Sequence, residues 1–356
     1  MRDSKIDVNS MLYGYYIQYQ KLLELTNQTI NGDPRYNNCD KINVYIDLYN
    51  FLMPLYTPNI STDKKYVIAA GIINLAAHMR EYYYSRHKVY SNIYLIYGDE
   101  TSTSHKQFLL NFGNTKFKET LNYKEMNEKI ESQLKMVKMI CDYINGVYFI
   151  RRTTDFAVVA YDEIRKQPNN IPAVVLTKSS YSYQIPAVCD NCVLLRPKKY
   201  NGMDTSIAIT NTNVLFQVCD KTNSDKNIQK LITLNSELLS LLMVLTGIKS
   251  VCVSRLLNST SAINKLYKAI QDNKIINGYN SDMDYVYNNL DISNTIDITN
   301  FKYRFNAIDL IFQHRIYSNS PESKDVSHLI DLNNREDMHK INNVYFADNP
   351  LNLDVF

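Results

Sequence analysis

The sequence predicts an α/β protein, with a central, mostly parallel sheet flanked by helices and a helical C-terminal region. Three stretches carry this reading. Lys41 to Tyr56 is KINVYIDLYNFLMPLY, in which Val44, Ile46 and Leu48 alternate with Tyr45 and Asp47, the period of a strand. Residues 64–86 read as a long helix whose Ala69, Ala70, Gly71, Ala76 and Ala77 allow close packing on a sheet. Asn92 to Tyr97 is a second strand, ending in Gly98-Asp99-Glu100. Strand, helix and strand, with an acid after each strand, form a βαβ unit and argue for parallel pairing.

The other elements follow in order. Residues 11–28 have helical spacing, and 31–38, with Gly32 and Pro34, read as a loop. Thr62-Asp63 is suited to cap the long helix. His105 to Tyr143 is helical and charged. Val147 to Arg151 is a third strand that leads through Thr153-Thr154-Asp155 into a helix ending at Arg165. Pro172 to Thr177 is a fourth strand, ending at Lys178-Ser179-Ser180; Cys192 to Arg196 is a fifth; residues 211–218, NTNVLFQV, are expected to add a sixth. Glu237 to Gly247 is a buried helix closed by a glycine suited to the C′ position. Thr260 to Ile270 and 303–314 are further helices. The expected division is an α/β domain over 1–230, with a helical segment at 105–145, and a helical region over 231–356.

Composition limits the function. At 45% hydrophobic, a chain of 356 residues buries a sizeable core, but its net charge of +3 creates no global basic field. A nucleic-acid surface therefore has to be a local patch. The N-terminal MRDSKIDVNS lacks the pattern of a signal peptide, and no apolar run reaches bilayer length. A soluble, cytoplasmic protein without membrane contact is expected. The 29 Tyr, absent Trp and abundant Asn, Ile and Lys suggest an AT-rich genome, with viruses and phages among the candidate sources, so host cytoplasm or virion are the corresponding locations. Cys189 and Cys192 form a CxxC without the second pair a zinc ribbon needs, which favours free thiols.

Two stretches carry chemistry. A carboxylate at the end of an apolar strand is costly to desolvate unless something positive or hydrogen-bonding meets it. Ligands of α/β sheets bind at the carboxyl ends of parallel strands, so Asp47 is a candidate ligand for a metal or a phosphate-bearing molecule; a helix cap is the alternative. The second stretch interleaves Lys106, Lys116, Lys118, Lys124, Lys129, Lys135 and Lys138 with Phe108, Phe112, Phe117 and Tyr123. Such a run tracks a single strand by phosphate contact and base stacking, or forms a solvated face balanced by Glu119, Glu125, Glu128 and Glu131.

Over roughly residues 40–270 the order of these pieces resembles the flap-endonuclease and 5′→3′ exonuclease family, whose sheet is PIN-like. VYIDLYNFL resembles the family's first strand and its aspartate. IYGDETSTSHK is similar to the second strand's Asp-Gly and following basic residue, with Gly98 and Asp99 in inverted order and Lys106 as the base. Phe117-Lys118 resembles the Tyr-Lys pair that opens the helical arch. The Glu-Ala-Asp-Asp motif falls on Thr153-Thr154-Asp155-Phe156, the later Asp-x-Asp on Lys178-Ser179-Ser180, and Gly-Asp-x-x-Asp-Asn on Gly247 to Cys252. Ser261 to Leu266 resembles the helix that follows.

The resemblance implies catalytic or metal-binding roles for Asp47, Asp99 and Asp155, with Mg or Mn as the metal. It implies nucleic-acid contacts at Lys106, Lys116 and Lys118. The departures fall on the second metal site, where Lys178, Ser180, Ile248 and Val251 replace carboxylates. The glycines of the family's helix–hairpin–helix are also not visible between Val253 and Ser261. Two functions of different classes follow. One is a degenerate, metal-free pseudo-nuclease that binds single-stranded or flapped DNA, or serves in a protein assembly. The other is a working DNA-binding 5′→3′ nuclease with a reduced, one-metal acidic site, in which Asp47, Asp99 and Asp155 are joined by Asp162 or Glu163.

Overall fold

In the computed structural model, the residues described are 39–49, 66–98, 123–200, 203–219, 238–248, 253–271 and 283–321. Strand β1 (Lys41–Asp47) is followed by α1 (Val67–His87), β2 (Tyr90–Gly98), α2 (Tyr123–Cys141), β3 (Val147–Arg152) and α3 (Phe156–Arg165). Then come β4 (Ala173–Leu176), a short α4 (Gln184–Val188), β5 (Cys192–Tyr200) and β6 (Met203–Ile209). The sheet order is β3-β2-β1-β4-β5-β6. The first five strands are parallel and β6 runs antiparallel on the edge. This is the mostly parallel α/β sheet the sequence predicts.

The strand sequences explain the layering. From Ile42 to Asp47 every residue of β1 is buried, as expected of a central strand covered on both faces. Val44 and Ile46 join one core with α1 and α2, whose Ile73, Ala76, Leu134 and Val137 meet them. Tyr45 faces the other core, with α3 and the C-terminal helices. There Tyr45, Tyr94 and Tyr148 stand in register on β1, β2 and β3 and stack at centroid distances of 4.8 and 5.0 Å. The first two crossover helices thus cover one face and the third covers the other. That change of face accompanies the reversal of strand order between β1 and β4.

Helix α1 starts later than the Thr62-Asp63 cap implies. Its N-cap position is Tyr66, which makes no side-chain cap bond, and Thr62 and Asp63 lie outside the described residues. The Ala69 amide donates instead to Gln133 Oε1 of α2 at 3.0 Å, which satisfies a free amide of the first turn. The expected helix at 11–28 also lies outside the described residues, as do residues 105–122 of the expected helical run from His105.

Two expectations are corrected. Residues 211–218 are not a strand: they form a turn and helix α5 (Val214–Cys219), and the sixth strand is Met203–Ile209. Asn213 forces the turn, because its Oδ1 accepts from the Thr210 amide at 3.0 Å and its Nδ2 donates to the Ala208 carbonyl at 3.0 Å. The single helix expected at 303–314 is two, one over Ile298–Ile308 and one over Leu310–Ser318.

The C-terminal helices are α6 (Leu238–Thr246), α7 (Ser259–Gln271), α8 (Met283–Leu290), α9 (Ile298–Ile308) and α10 (Leu310–Ser318). Helix α6 is buried on all sides and ends at Gly247, φ +77°, where a Cβ would lie 2.7 Å from the Val253 carbonyl. Asp309 separates α9 from α10 and caps the latter through the Phe312 amide, 2.9 Å away. The same carboxylate lies 2.8 Å from the Ser240 hydroxyl, which is also 3.0 Å from Gln184 Oε1. Gln184 donates to the Ile308 carbonyl at 2.9 Å. This network ties α4, α6 and the α9–α10 break together. Helix α10 is also held on α3 by His314 against Asp162 at 2.8 Å and by Arg152 Nε donating to the Tyr317 hydroxyl at 3.1 Å. One hydrophobic core therefore joins the sheet face to these helices, from Tyr45 and Phe156 to Leu241, Phe301 and Tyr317. Among the described residues no helix is long and apolar enough to cross a membrane.

Arg304 of α9 is the anomaly of this core. It is 5% exposed, and its Nε and Nη2 meet no hydrogen-bond partner among the described residues. Burial brings its guanidinium down to about 10. An uncompensated buried charge costs more than an apolar side chain of similar volume. Arg304→Met is therefore expected to raise the thermal midpoint by several degrees, as read by calorimetry; a fall would mean that the guanidinium is engaged in solution.

Candidate functional site

Two of the expected site residues, Asp47 and Asp155, stand at the carboxyl edge of the sheet. Asp47 closes β1, and because Ile46 is in register with Leu176, the next residue on each strand, Asp47 and Thr177, lie side by side. Asp47 is fully buried, and its Oδ2 accepts a hydrogen bond of 2.6 Å from the Thr177 hydroxyl. Thr177 Oγ1 in turn accepts from the Ser179 amide at 3.0 Å. A chain of donors from the β4 loop thus points at the carboxylate, and such chains polarise one another. The contact crosses the seam where the strand order reverses, the place where α/β sheets bind ligands.

Asp155 follows β3 and is the N-cap of α3: its Oδ1 accepts from the Ala157 amide at 2.7 Å. Burial pushes its carboxyl up to about 6, against the pull of that amide. Gly98, at the end of β2, presses on the turn that carries Asp155. A Cβ there would lie 2.4 Å from the Phe156 nitrogen and 2.7 Å from the Thr154 carbonyl oxygen. Asp47 and Asp155 therefore leave the same sheet edge, with β2 between their strands at a separation of about 10 Å. The acid that follows β2, Asp99, lies outside the described residues, as do Lys106, Lys116 and Lys118.

The edge of β4 differs in chemistry from β1. Beside Thr177 stand the half-buried Lys178 and Ser180 and the buried Ser179. These are hydroxyls and a lysine, with no carboxylate among them. Ile248, another position expected to have lost an acid, is 2% exposed and pairs in an antiparallel bridge with Val253, so its side chain belongs to the core. Among the described residues no group of three or more His, Cys, Asp or Glu is placed to hold a metal ion. Cys189 and Cys192 are free thiols at the opposite, amino edge, where burial pushes Cys189 up to about 12.

Asp162 and Glu163, considered as extra ligands, are on α3 and serve other contacts. Asp162 meets His314 and Lys166, at 2.8 and 2.7 Å, and Glu163 meets Lys166 at 2.8 Å. Thr177 is the residue that sequence reasoning missed. Its signal is a hydroxyl at the end of the apolar AVVL strand, one step beyond the register partner of Ile46.

No family model and no curated protein matches the chain. Solved structures of similar fold include the flap endonuclease of bacteriophage T5 in complex with DNA and metal ions, at 12% identity and a TM-score of 0.48 over 82% of this chain and 99% of that one. The T5 5′-exonuclease bound to zinc is similar at 15% identity and a TM-score of 0.44, over 80% and 97%. The catalytic core of Rad2 in complex with a DNA substrate is similar at 8% and 0.40, over 77% and 79%.

Two outcomes are expected. Thr177→Val keeps the shape but leaves the buried Asp47 without this donor, and should cost about 2–4 kcal/mol in urea denaturation, while Thr177→Ser stays near the parent. Asp155→Asn keeps a cap acceptor and removes a buried charge. The Asp155 carboxyl titrates higher folded (about 6) than unfolded (3.8), so its penalty grows as pH rises through that window. In EDTA, Asp155→Asn should exceed the parent by about 1–3 kcal/mol above pH 6, and the gap should close below pH 4.

Proposed function

We propose that this chain is a degenerate flap-endonuclease-like protein that binds single-stranded or flapped DNA without efficiently cleaving it. The observation that carries this reading is the donor-rich end of β4, where Thr177 hydrogen-bonds the buried Asp47. In a working two-metal nuclease, divalent cations stabilise the attacking and leaving oxygens and are held by carboxylates. Here the β4 edge supplies the hydroxyls of Thr177, Ser179 and Ser180 and the side chain of Lys178, with no carboxylate among them. That set does not fit a second cation, and an ammonium near a metal position opposes binding. Lys178 is assigned the role of the positive charge beside the acids.

Affinity would then come from the local run containing Lys106, Lys116 and Lys118, with Phe and Tyr side chains stacking on bases. A second reading, a one-metal nuclease built on Asp47, Asp99 and Asp155, is favoured by the placement of Asp47 and Asp155 at one sheet edge. The run could instead meet a protein in a viral or phage assembly, its aromatics buried against the partner.

The test is a titration with a flapped oligonucleotide at two salt concentrations, beside a cleavage assay in Mg²⁺ and Mn²⁺. Salt-sensitive binding without cleavage is expected. Replacing Lys106, Lys116 and Lys118 together by Ala should weaken binding and flatten the log–log salt slope by about 2–3. Cleavage abolished by Asp47→Ala would establish the one-metal reading; absence of binding would favour the protein assembly.

A further inference from the structure

At the amino edge of the sheet, opposite Asp47, the end of α1 turns into β2 through Tyr84-Ser85-Arg86-His87-Lys88-Val89-Tyr90. Tyr84 and Tyr90 are 48% and 62% exposed, and their rings form a tilted pair with centroids 5.3 Å apart. Lys88 Nζ lies over the Tyr84 ring, 5.2 Å from its centroid. Tyr90 is in register with the exposed Lys41 of β1. The nearby exposed acids are Asp40 and Glu81, and Glu81 faces His78 at 3.9 Å.

Two features set this corner apart from ordinary surface. Large apolar side chains are mostly buried, and the exposed ones among the described residues are Tyr84, Tyr90, Tyr285 and Ile316, so two of the four form this one pair. Lys88 also occupies the left-handed C-cap of α1, φ 56°, a position glycine fills without strain. Lys88 therefore holds a backbone conformation costly for a residue with a Cβ while its ammonium lies over an exposed ring.

We propose that this corner is a second contact for single-stranded nucleic acid, separate from the carboxyl edge. The ring pair is the stacking platform, and Lys88 and Lys41 take the flanking phosphates. Stacking on open aromatic faces is tolerant of sequence because every base has a π-face. Two tyrosines are too little apolar surface for a stable protein interface, which buries about 800 Å² on each partner. Bases flanked by phosphates match the rings and cations better.

The test uses the full chain and a fluorescent oligo-dT of about twenty nucleotides, the length being chosen to span one surface. Tyr84→Ala with Tyr90→Ala should weaken binding by about tenfold, and Tyr84→Phe with Tyr90→Phe should stay within about twofold. Both residues are exposed, and a thermal melt checks that the variants fold. Lys88→Gly should raise the melting temperature by relieving the strained backbone while it lowers affinity, a pairing that a purely structural lysine would not produce. An oligonucleotide carrying 5-iodo-deoxyuridine should crosslink to the Tyr84–Tyr90 peptide, and should still do so in the triple variant of Lys106, Lys116 and Lys118. That arm separates this contact from the helical run: loss of the crosslink in the triple variant overturns a separate site. Unchanged affinity in the double alanine variant, equal loss in the phenylalanine variant, or crosslinks confined to other peptides would also overturn it. So would a patch variant that changes the oligomeric state in sedimentation with no oligonucleotide bound, since that marks a protein contact.

Discussion

The hydrogen bond from Thr177 to Asp47 is the constraint on which the sheet's working edge depends. A carboxylate with no exposed surface has lost its water, and its charge has to be met by protein donors. The donor comes from the strand beside it, across the one seam where the chain reverses its direction of growth. Sliding β4 by one residue against β1 would aim Thr177 at the other face and bring Leu176 to the acid. The bond therefore specifies register as well as satisfying a charge. The β4 loop, the following turn at Tyr181–Tyr183 and helix α4 are placed by that register, and through Gln184 so are the C-terminal helices.

Much of this was legible in the sequence, for identifiable reasons. Strands β1 to β4 are apolar runs, and their parallel pairing follows from the helical stretches between them; the short helix α4 that carries the chain from β4 to β5 has no such signal. Gly247 announced the end of α6 because its neighbours leave no other residue the required backbone. The sixth strand was missed because MDTSIAI is half polar, while NVLFQV carries an apolar run that periodicity alone cannot assign to strand or helix. The available signal was Asn201-Gly202, a dipeptide favoured in two-residue hairpin loops, lying between Tyr200 and Met203, which pair. The break at Asp309 was hidden because YRFNAIDLIFQH keeps helical spacing through it. Only the capped Phe312 amide and the buried Ser240 reveal why the chain turns there.

The site was half legible. Asp47 and Asp155 could be placed at strand ends from spacing, but their chemical states could not. Asp155 caps α3, and Asp47 reaches across to a hydroxyl distant in sequence. Partners separated by 130 positions leave no local pattern. That β4 runs into Thr177, Lys178, Ser179 and Ser180, with no carboxylate among them, is read from the sequence directly.

Gly98 ties the end of β2 to the turn that carries Asp155. In the flap-endonuclease pattern the acid comes before the glycine, and here the glycine comes first. Its missing side chain is the space into which the Thr154–Phe156 backbone fits. A carboxylate moved to position 98 would have to displace that turn, and Asp155 is part of it. A side chain at position 98 is therefore excluded unless the turn after β3 is redrawn, so the end of β2 and the cap of α3 have to change together.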